Sequence, residues 1–355
     1  MRHAAELTGA AAVAARAAYL ALRRNPPGGE QTWTRTNHRG EPVTLLEGPA
    51  VAVGAITAEL AAAAVASLLT GGRPGTSAHD ADRSHGFAAP LAISMAGAGA
   101  LGFGVLDDLK GSGSRRGLRG HLGALADGEV TTGTIKLAGL AATGVAAAPS
   151  GGGAIDRVIN AGLIAGGANL LNLFDLRPGR AIKVATLSAG LIAGGSALAG
   201  SGAGATAVAA PLGAGLALLG EDLAERAMLG DAGANALGAM LGAAAAVSLP
   251  RPARAGLLAG LVALTVVSEK VSFTKVIERT PALRWLDMLG RRPVPAPGEA
   301  TPSSASPTPQ VQAPGRRPAG RHRRVREAGG TVRSGEWFSG ILKPVFDKTV
   351  ARQEP

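Results

Sequence analysis

The apolar residues of this chain come in long blocks. Ala, Gly, Leu and Val fill runs of roughly 17–25 residues, the length a helix needs to cross a bilayer, and the charges are swept into the gaps between runs. A soluble helix would carry its charges along one face instead. The overall hydrophobic fraction of 46% would by itself suit a soluble protein. The distribution therefore decides the matter, and the expected fold is an all-α, polytopic transmembrane bundle of about nine or ten spans.

Candidate spans fall near residues 4–22, 49–70, 88–106, 130–148, 155–172, 182–199, 204–220, 228–249 and 254–270. Several carry small residues at four-residue spacing, as in GAGALGFG and GANALGAMLG, which lets helix backbones approach closely in lipid. The first run, interrupted by Glu6 and Arg16, reads as a marginal span rather than a cleaved signal peptide. Basic residues set the orientation. Arg23, Arg24, Arg35 and Arg39, then Lys110, Arg115, Arg116 and Arg119, then Arg177, Arg180 and Lys183, then Arg226 fall in alternate loops. Those loops are expected in the cytoplasm, with the N-terminus outside. The chain has no Cys, which excludes disulfides and Cys-based metal sites.

Composition divides the rest. Residues 1–290 form the transmembrane domain. Residues 291–334 read as a disordered, Pro- and Arg-rich cytoplasmic linker. Residues 335–355 contain SGEWFSGILKPVFDK, a short amphipathic segment suited to a lipid surface or a protein partner, or else a solvated tail, with Pro344 interrupting it.

The informative residues are the polar ones at the cytoplasmic ends of spans, where an ionisable group is costly and marks a functional site by default. In GVLDDLKG, an apolar run leads straight into Asp107 and Asp108, with Lys110 beside them. Adjacent carboxylates hold a divalent cation, or one acts as a base while the other binds metal; helix capping is the competing account. Lys136 lies within about two turns of the inner edge of the fourth span, placed to snorkel to the headgroups or to hold a phosphate. In NLLNLFD, Asn169, Asn172 and Asp175 recur every three residues on one helix face, placed for a ligand or for interhelical hydrogen bonds. Asp231 sits between Gly230 and Gly233 at the start of the eighth span, as a ligand or as a cap. The polar stretch WTRTNHRGEPVTLLEGP adds Asn37, Arg39 and Gly40. Together these describe one cytoplasmic-face site with several carboxylates, a buried Lys and amide donors. Divalent metal plus phosphate is the chemistry that asks for this set.

The order DDLK, then an intramembrane Lys, then NxxNxxD, then GD followed by small residues resembles the polyprenyl-phosphate sugar-1-phosphate transferases. That family includes the phospho-N-acetylmuramoyl-pentapeptide transferases and the polyprenyl-phosphate N-acetylglucosamine-1-phosphate transferases. The resemblance covers about residues 30–290. It implies a multi-pass enzyme of the bacterial inner membrane that is dependent on Mg²⁺, with Mn²⁺ as a substitute. Such an enzyme moves a sugar-1-phosphate, HexNAc-1-phosphate by the resemblance, from a nucleotide diphosphate sugar to a polyprenyl phosphate for cell-envelope glycan. Nucleoside monophosphate is released. By position it implies catalytic roles for Asp107, Asp108, Lys136 and Asp175, metal binding by Asp231 and Asp108, and substrate contacts by Asn37, Arg39, Lys110, Asn169 and Asn172. Dimers occur in that family, so a homodimer is one expected partner, beside membrane lipid and a protein partner for the tail; nucleic acid is not expected.

The chain also departs from the family. Pro178 stands where a second aspartate usually follows Asp175, Met228 where an aromatic residue precedes the GD aspartate, and Glu221 where an Asn is usual. The segment ERTPALRWLDMLGR lacks the usual histidines. These departures touch nucleoside and sugar recognition and imply a divergent member with an altered donor. The alternative is a catalytically inactive relative acting as a membrane scaffold. A transporter ranks last, because no inverted repeat is visible.

Overall fold

The computed structural model describes residues 2–69, 81–110 and 128–293. The basic loop around Arg115, Arg116 and Arg119, most of the expected linker and the whole C-terminal amphipathic segment lie outside the described residues. The helices are α1 (Arg2–Arg24), α2 (Glu30–Trp33), α3 (Glu47–Leu69), α4 (Ala81–Lys110), α5 (Thr132–Ala147), α6 (Ala154–Phe174), α7 (Arg180–Leu198), α8 (Ala203–Ala207), α9 (Ala209–Leu223), α10 (Gly230–Ser248), α11 (Arg251–Ser268), α12 (Phe273–Arg279) and α13 (Pro281–Met288). Among the described residues the only sheet is an antiparallel pair, β1 (Thr34–Thr36) with β2 (Pro42–Thr44), in the stretch that the sequence marks as a polar loop.

Each expected apolar block is helical, with edges shifted by a few residues. Four of these helices are long and apolar enough to cross a membrane: Glu47–Leu68, Phe87–Lys110, Arg180–Leu198 and Arg251–Ser268. The block expected as one span over 204–220 is broken at Val208, between α8 and α9. Pro211 accounts for the break: lacking an N–H, it cannot donate to the carbonyl of Ala207 four residues back.

Helix α10 is the axis of the bundle. Every residue in it except Asp231 and Val247 is buried. Ala and Gly make up most of it, so neighbouring backbones come close enough for continuous van der Waals contact, the main attraction between helices in lipid. A Cβ on Gly238 would run into the Gly167 carbonyl of α6. A Cβ on Gly104 of α4 would overlap the backbone of Asp231 and Ala232. At the other extreme, α11 buries no residue at all. Arg254 pins that helix to α6 through Asp156 (3.0 Å) and Asn160 (2.6 Å).

Candidate functional site

The close approach of α4 to α10 at Gly104 brings the next turn of α4, with Asp107 and Asp108, onto the first turn of α10. The two carboxylates then do different things. Asp108 accepts hydrogen bonds from the backbone N–H groups of Asp231 (3.0 Å) and Ala232 (2.8 Å), two of the donors that a helix start leaves without intrahelical partners. Its carbonyl accepts a hydrogen bond from the Arg35 guanidinium of β1. Gly230, at φ +62, turns the chain into α10 in a backbone region that side chains rarely adopt. A Cβ there would also press on the Asp108 carboxylate.

Asp107 points instead to Lys136 of α5. The Lys136 ammonium lies 2.8 Å from Asp107 and 2.8 Å from Asp231, so one cation bridges carboxylates from α4 and α10. All three side chains are largely withdrawn from solvent, the most exposed being Asp231 at 24%. Asp175 closes the group: it ends α6 and accepts the Gly230 N–H. Burial raises the Asp175 carboxyl well above the usual range, and the negative charges of Asp222, Asp231 and Asp108 add to it against the pull of that N–H. The geometry thus brings Asp107, Asp108, Lys136, Asp175 and Asp231 to one end of the bundle, from the termini of four helices.

The other sequence candidates lie around this centre. Asn37 and Arg39, in the turn between β1 and β2, both hold Glu225: Asn37 donates at 2.9 Å and Arg39 at 2.8 Å. Lys110 is on the exposed last turn of α4. Asn169 and Asn172 are partly buried, and the Asn172 carbonyl accepts the Asp175 N–H at 3.1 Å. A cleft of about 190 Å³ is lined by Asn37, His38, Asp175, Pro178, Asp222 and Met228, among others. Two of the departures noted in the sequence, Pro178 and Met228, therefore face the same space as Asp175. Burial, aided by Arg177, Arg291 and Arg39, pushes the His38 imidazole down despite the nearby Glu225.

Three acidic groups of this region escape a reading of the sequence. Glu225 is buried and adopts φ +58. Asp222, three residues earlier, is buried as well. Glu47 is 0% exposed, and neither of its carboxylate oxygens has a hydrogen-bond partner among the described residues. The available signal was the acid-rich GEDLAER that ends α9, and the lone Glu at the edge of an apolar block.

A divalent cation is implied by the family resemblance, and the donor set can be tested for it. Asp107 and Asp231 supply hard oxygen ligands of the kind Mg²⁺ takes, and the place between them already favours positive charge, since an ammonium occupies it. The residues therefore fit such an ion by chemistry, although as placed no group of three His, Asp or Glu among the described residues could hold one.

A second cavity, of about 210 Å³, lies between α6, α7, α10 and α11 and is almost wholly apolar; Leu171, Val184, Leu191, Gly238 and Leu261 are among its walls. It begins about one turn from Asp175 and runs toward the opposite end of the bundle.

If Asp108 is the cap of α10, Asp108→Ala should cost about 1–2 kcal/mol, because the helix start loses its side-chain acceptor. Thermal unfolding of the purified protein checks this, and an unchanged midpoint would remove the capping role.

The fold and this charge cluster define a helical protein with four helices able to cross a membrane and an ionic site at one end of its bundle. No protein-family model matches the chain, and no curated protein matches it.

Proposed function

We propose that the chain is a multi-pass enzyme of the bacterial inner membrane that transfers a sugar-1-phosphate from a nucleotide diphosphate sugar to a polyprenyl phosphate, with release of nucleoside monophosphate. The observation that carries this reading is the Lys136 ammonium bridging Asp107 and Asp231 at 2.8 Å each. Fixed charges of both signs, held out of water on rigid helices, are what phosphoryl transfer needs, since its catalysis is mainly positioning and electrostatics. In this reading about nine helices span the bilayer, the N-terminus is outside, and the ionic end faces the cytoplasm, where nucleotide sugars are made available.

Asp107 and Asp231 are the residues that would hold Mg²⁺. When bound, the ion would neutralise phosphate oxygens and stabilise the charge of the transferred group. Lys136 would hold a phosphate oxygen and offset the charge of the two carboxylates. Asp175, whose carboxyl is pushed up by burial and by the charges of Asp222, Asp231 and Asp108, would face the donor beside the start of α10. Asp108 would keep the N-terminus of α10 in place. The apolar groove beside Asp175 suits the isoprenoid tail of the acceptor, whose phosphate oxygen would attack the donor's β-phosphorus. The cleft that Pro178 and Met228 help to line would take the nucleoside and sugar, and those two residues would set a donor preference different from that of the family.

The scaffold reading has one observation in its favour: Lys136 already satisfies both carboxylates, and Glu225 already engages Asn37 and Arg39. One assay separates the two. Membranes containing the protein, supplied with polyprenyl phosphate and a panel of nucleotide sugars, should release nucleoside monophosphate in a Mg²⁺-dependent way, and Asp231→Asn should abolish the release. Release from no donor would favour the scaffold, and full release by the variant would remove the site from the mechanism.

A further inference from the structure

We infer that α12 and α13 lie on the bilayer surface at the ionic end of the bundle, with Leu289 and Trp285 set among the headgroups of anionic lipid. The inference rests on the membrane reading of the chain and goes beyond the proposed activity.

Helix α11 fixes the level. It is apolar, long enough to span, and has no residue buried against the protein; Val262, Leu264, Val266 and Val267 are all exposed. Such a face belongs in hydrocarbon. After Ser268 only residues 269–272 intervene before α12, a reach of at most about 14 Å. The helix pair therefore cannot leave the boundary where α11 emerges.

The anchoring of α13 fixes which face looks outward. Asp287 is buried and held by Arg180 at 2.6 Å and Arg291 at 2.8 Å, and Lys183 donates to the Leu286 and Asp287 carbonyls at 3.1 and 2.7 Å. With that side held inward, the other side presents Trp285 (68% exposed) and Leu289 (52%). An open groove of about 620 Å³ runs along α13 past Arg279, Arg284, Trp285, Met288 and Leu289. Water alone would leave this apolar face uncompensated.

Charge selects the occupant. The exposed basic residues along the pair are Lys275, Arg279 and Arg284, against one exposed acid, Glu278. An apolar, Trp-bearing face rimmed by basic residues is the pattern of a helix lying in an anionic interface. Trp suits that depth because its ring is apolar and its N–H is polar.

The chain has no Cys, so a single introduced Cys carries a nitroxide label unambiguously. The full-length protein with Leu289→Cys, and separately with Leu264→Cys as a reference on α11, would be placed in nanodiscs containing phosphatidylglycerol. Collision with oxygen should exceed collision with a water-soluble nickel chelate several-fold at position 264, and to a lesser but clear degree at 289. A label at 289 as accessible to nickel as a free aqueous nitroxide would overturn the inference while position 264 keeps the membrane reading intact. An aqueous label at both positions would overturn the membrane reading too. Spin–spin broadening at 289 would show that a second copy covers the face and would also overturn the proposal. Exchange of phosphatidylglycerol for phosphatidylcholine, or Arg279→Gln with Arg284→Gln, should move the 289 label toward water; no shift in either would remove the anionic preference.

Discussion

Lys136→Met should lower stability by about 3–5 kcal/mol, the cost of removing one partner from a buried ionic group, and should abolish the proposed transfer. The side chain packs as well as before, but two carboxylates that now share an ammonium at 2.8 Å each are left facing one another without it. Both lie within 2.8 Å of one nitrogen, so the two like charges are close together and, largely out of water, repel strongly. The rest of the bundle is unaffected, so the loss should be recovered in part by a second change. Lys136→Met combined with Asp231→Asn should be more stable than Lys136→Met alone, because one of the opposed charges is gone. A double-mutant cycle on thermal unfolding midpoints reads this directly. A Lys136→Met protein as stable as the natural one would mean that the bridge is not an ionic linchpin.

The long helices were legible in the sequence because each is a block of apolar residues too long to serve anything but a helix; α2, α12 and α13, short and mixed in polarity, were not. The block at 182–199 became Arg180–Leu198, and 49–70 became Glu47–Leu69. The break between α8 and α9 was legible only in Pro211, a single residue inside an otherwise unbroken apolar run. Lys136 was also legible, as a charge inside such a run. Its partners were not: Asp231 lies 95 residues further on, and only the packing of α4, α5 and α10 brings the two together. The distinction between Asp107 and Asp108 was hidden for the same reason. Adjacent residues on a helix point about 100° apart, so one turns to the Lys136 ammonium and the other to the backbone of α10. No local pattern says which is which until the neighbouring helices are placed. Glu225 is a sharper case. It is paired with Asn37 and Arg39, 188 and 186 residues away, and it occupies a left-handed backbone position more usual for glycine.

Breaking the Arg180–Asp287 pair should have the second large effect. Arg180 is 3% and Asp287 7% exposed, and the guanidinium meets the carboxylate through two bonds, at 2.6 and 3.1 Å. Asp287→Leu leaves the Arg180 charge buried, with Thr274 at 3.0 Å as a neutral partner, at a cost of about 3–5 kcal/mol. Arg180→Met with Asp287→Leu removes both charges of the pair and should restore part of that loss, since a well-packed apolar pair is often no worse than a buried ion pair, while Arg291 still lacks the carboxylate it now meets at 2.8 Å. The effect should also be local. The pair joins the start of α7 to α13, so protease cleavage between residues 269 and 290 should rise in Asp287→Leu and fall back in the double variant. The pH dependence follows from the same contact. Burial pushes the Asp287 carboxyl up, but the Arg180 hydrogen bond and the charges of Arg180, Arg291 and Lys183 outweigh it and hold it below its ordinary value. A carboxyl lowered on folding contributes stability that is complete above its unfolded value of about 4 and is lost as pH falls through the folded one. The contribution should therefore be flat from neutral pH down to about 5 and decline below about 4. An Asp287→Asn protein should lose that decline; if its unfolding keeps the same acid limb as the natural chain, the limb belongs to other carboxylates and the clamp is not what acid opens first.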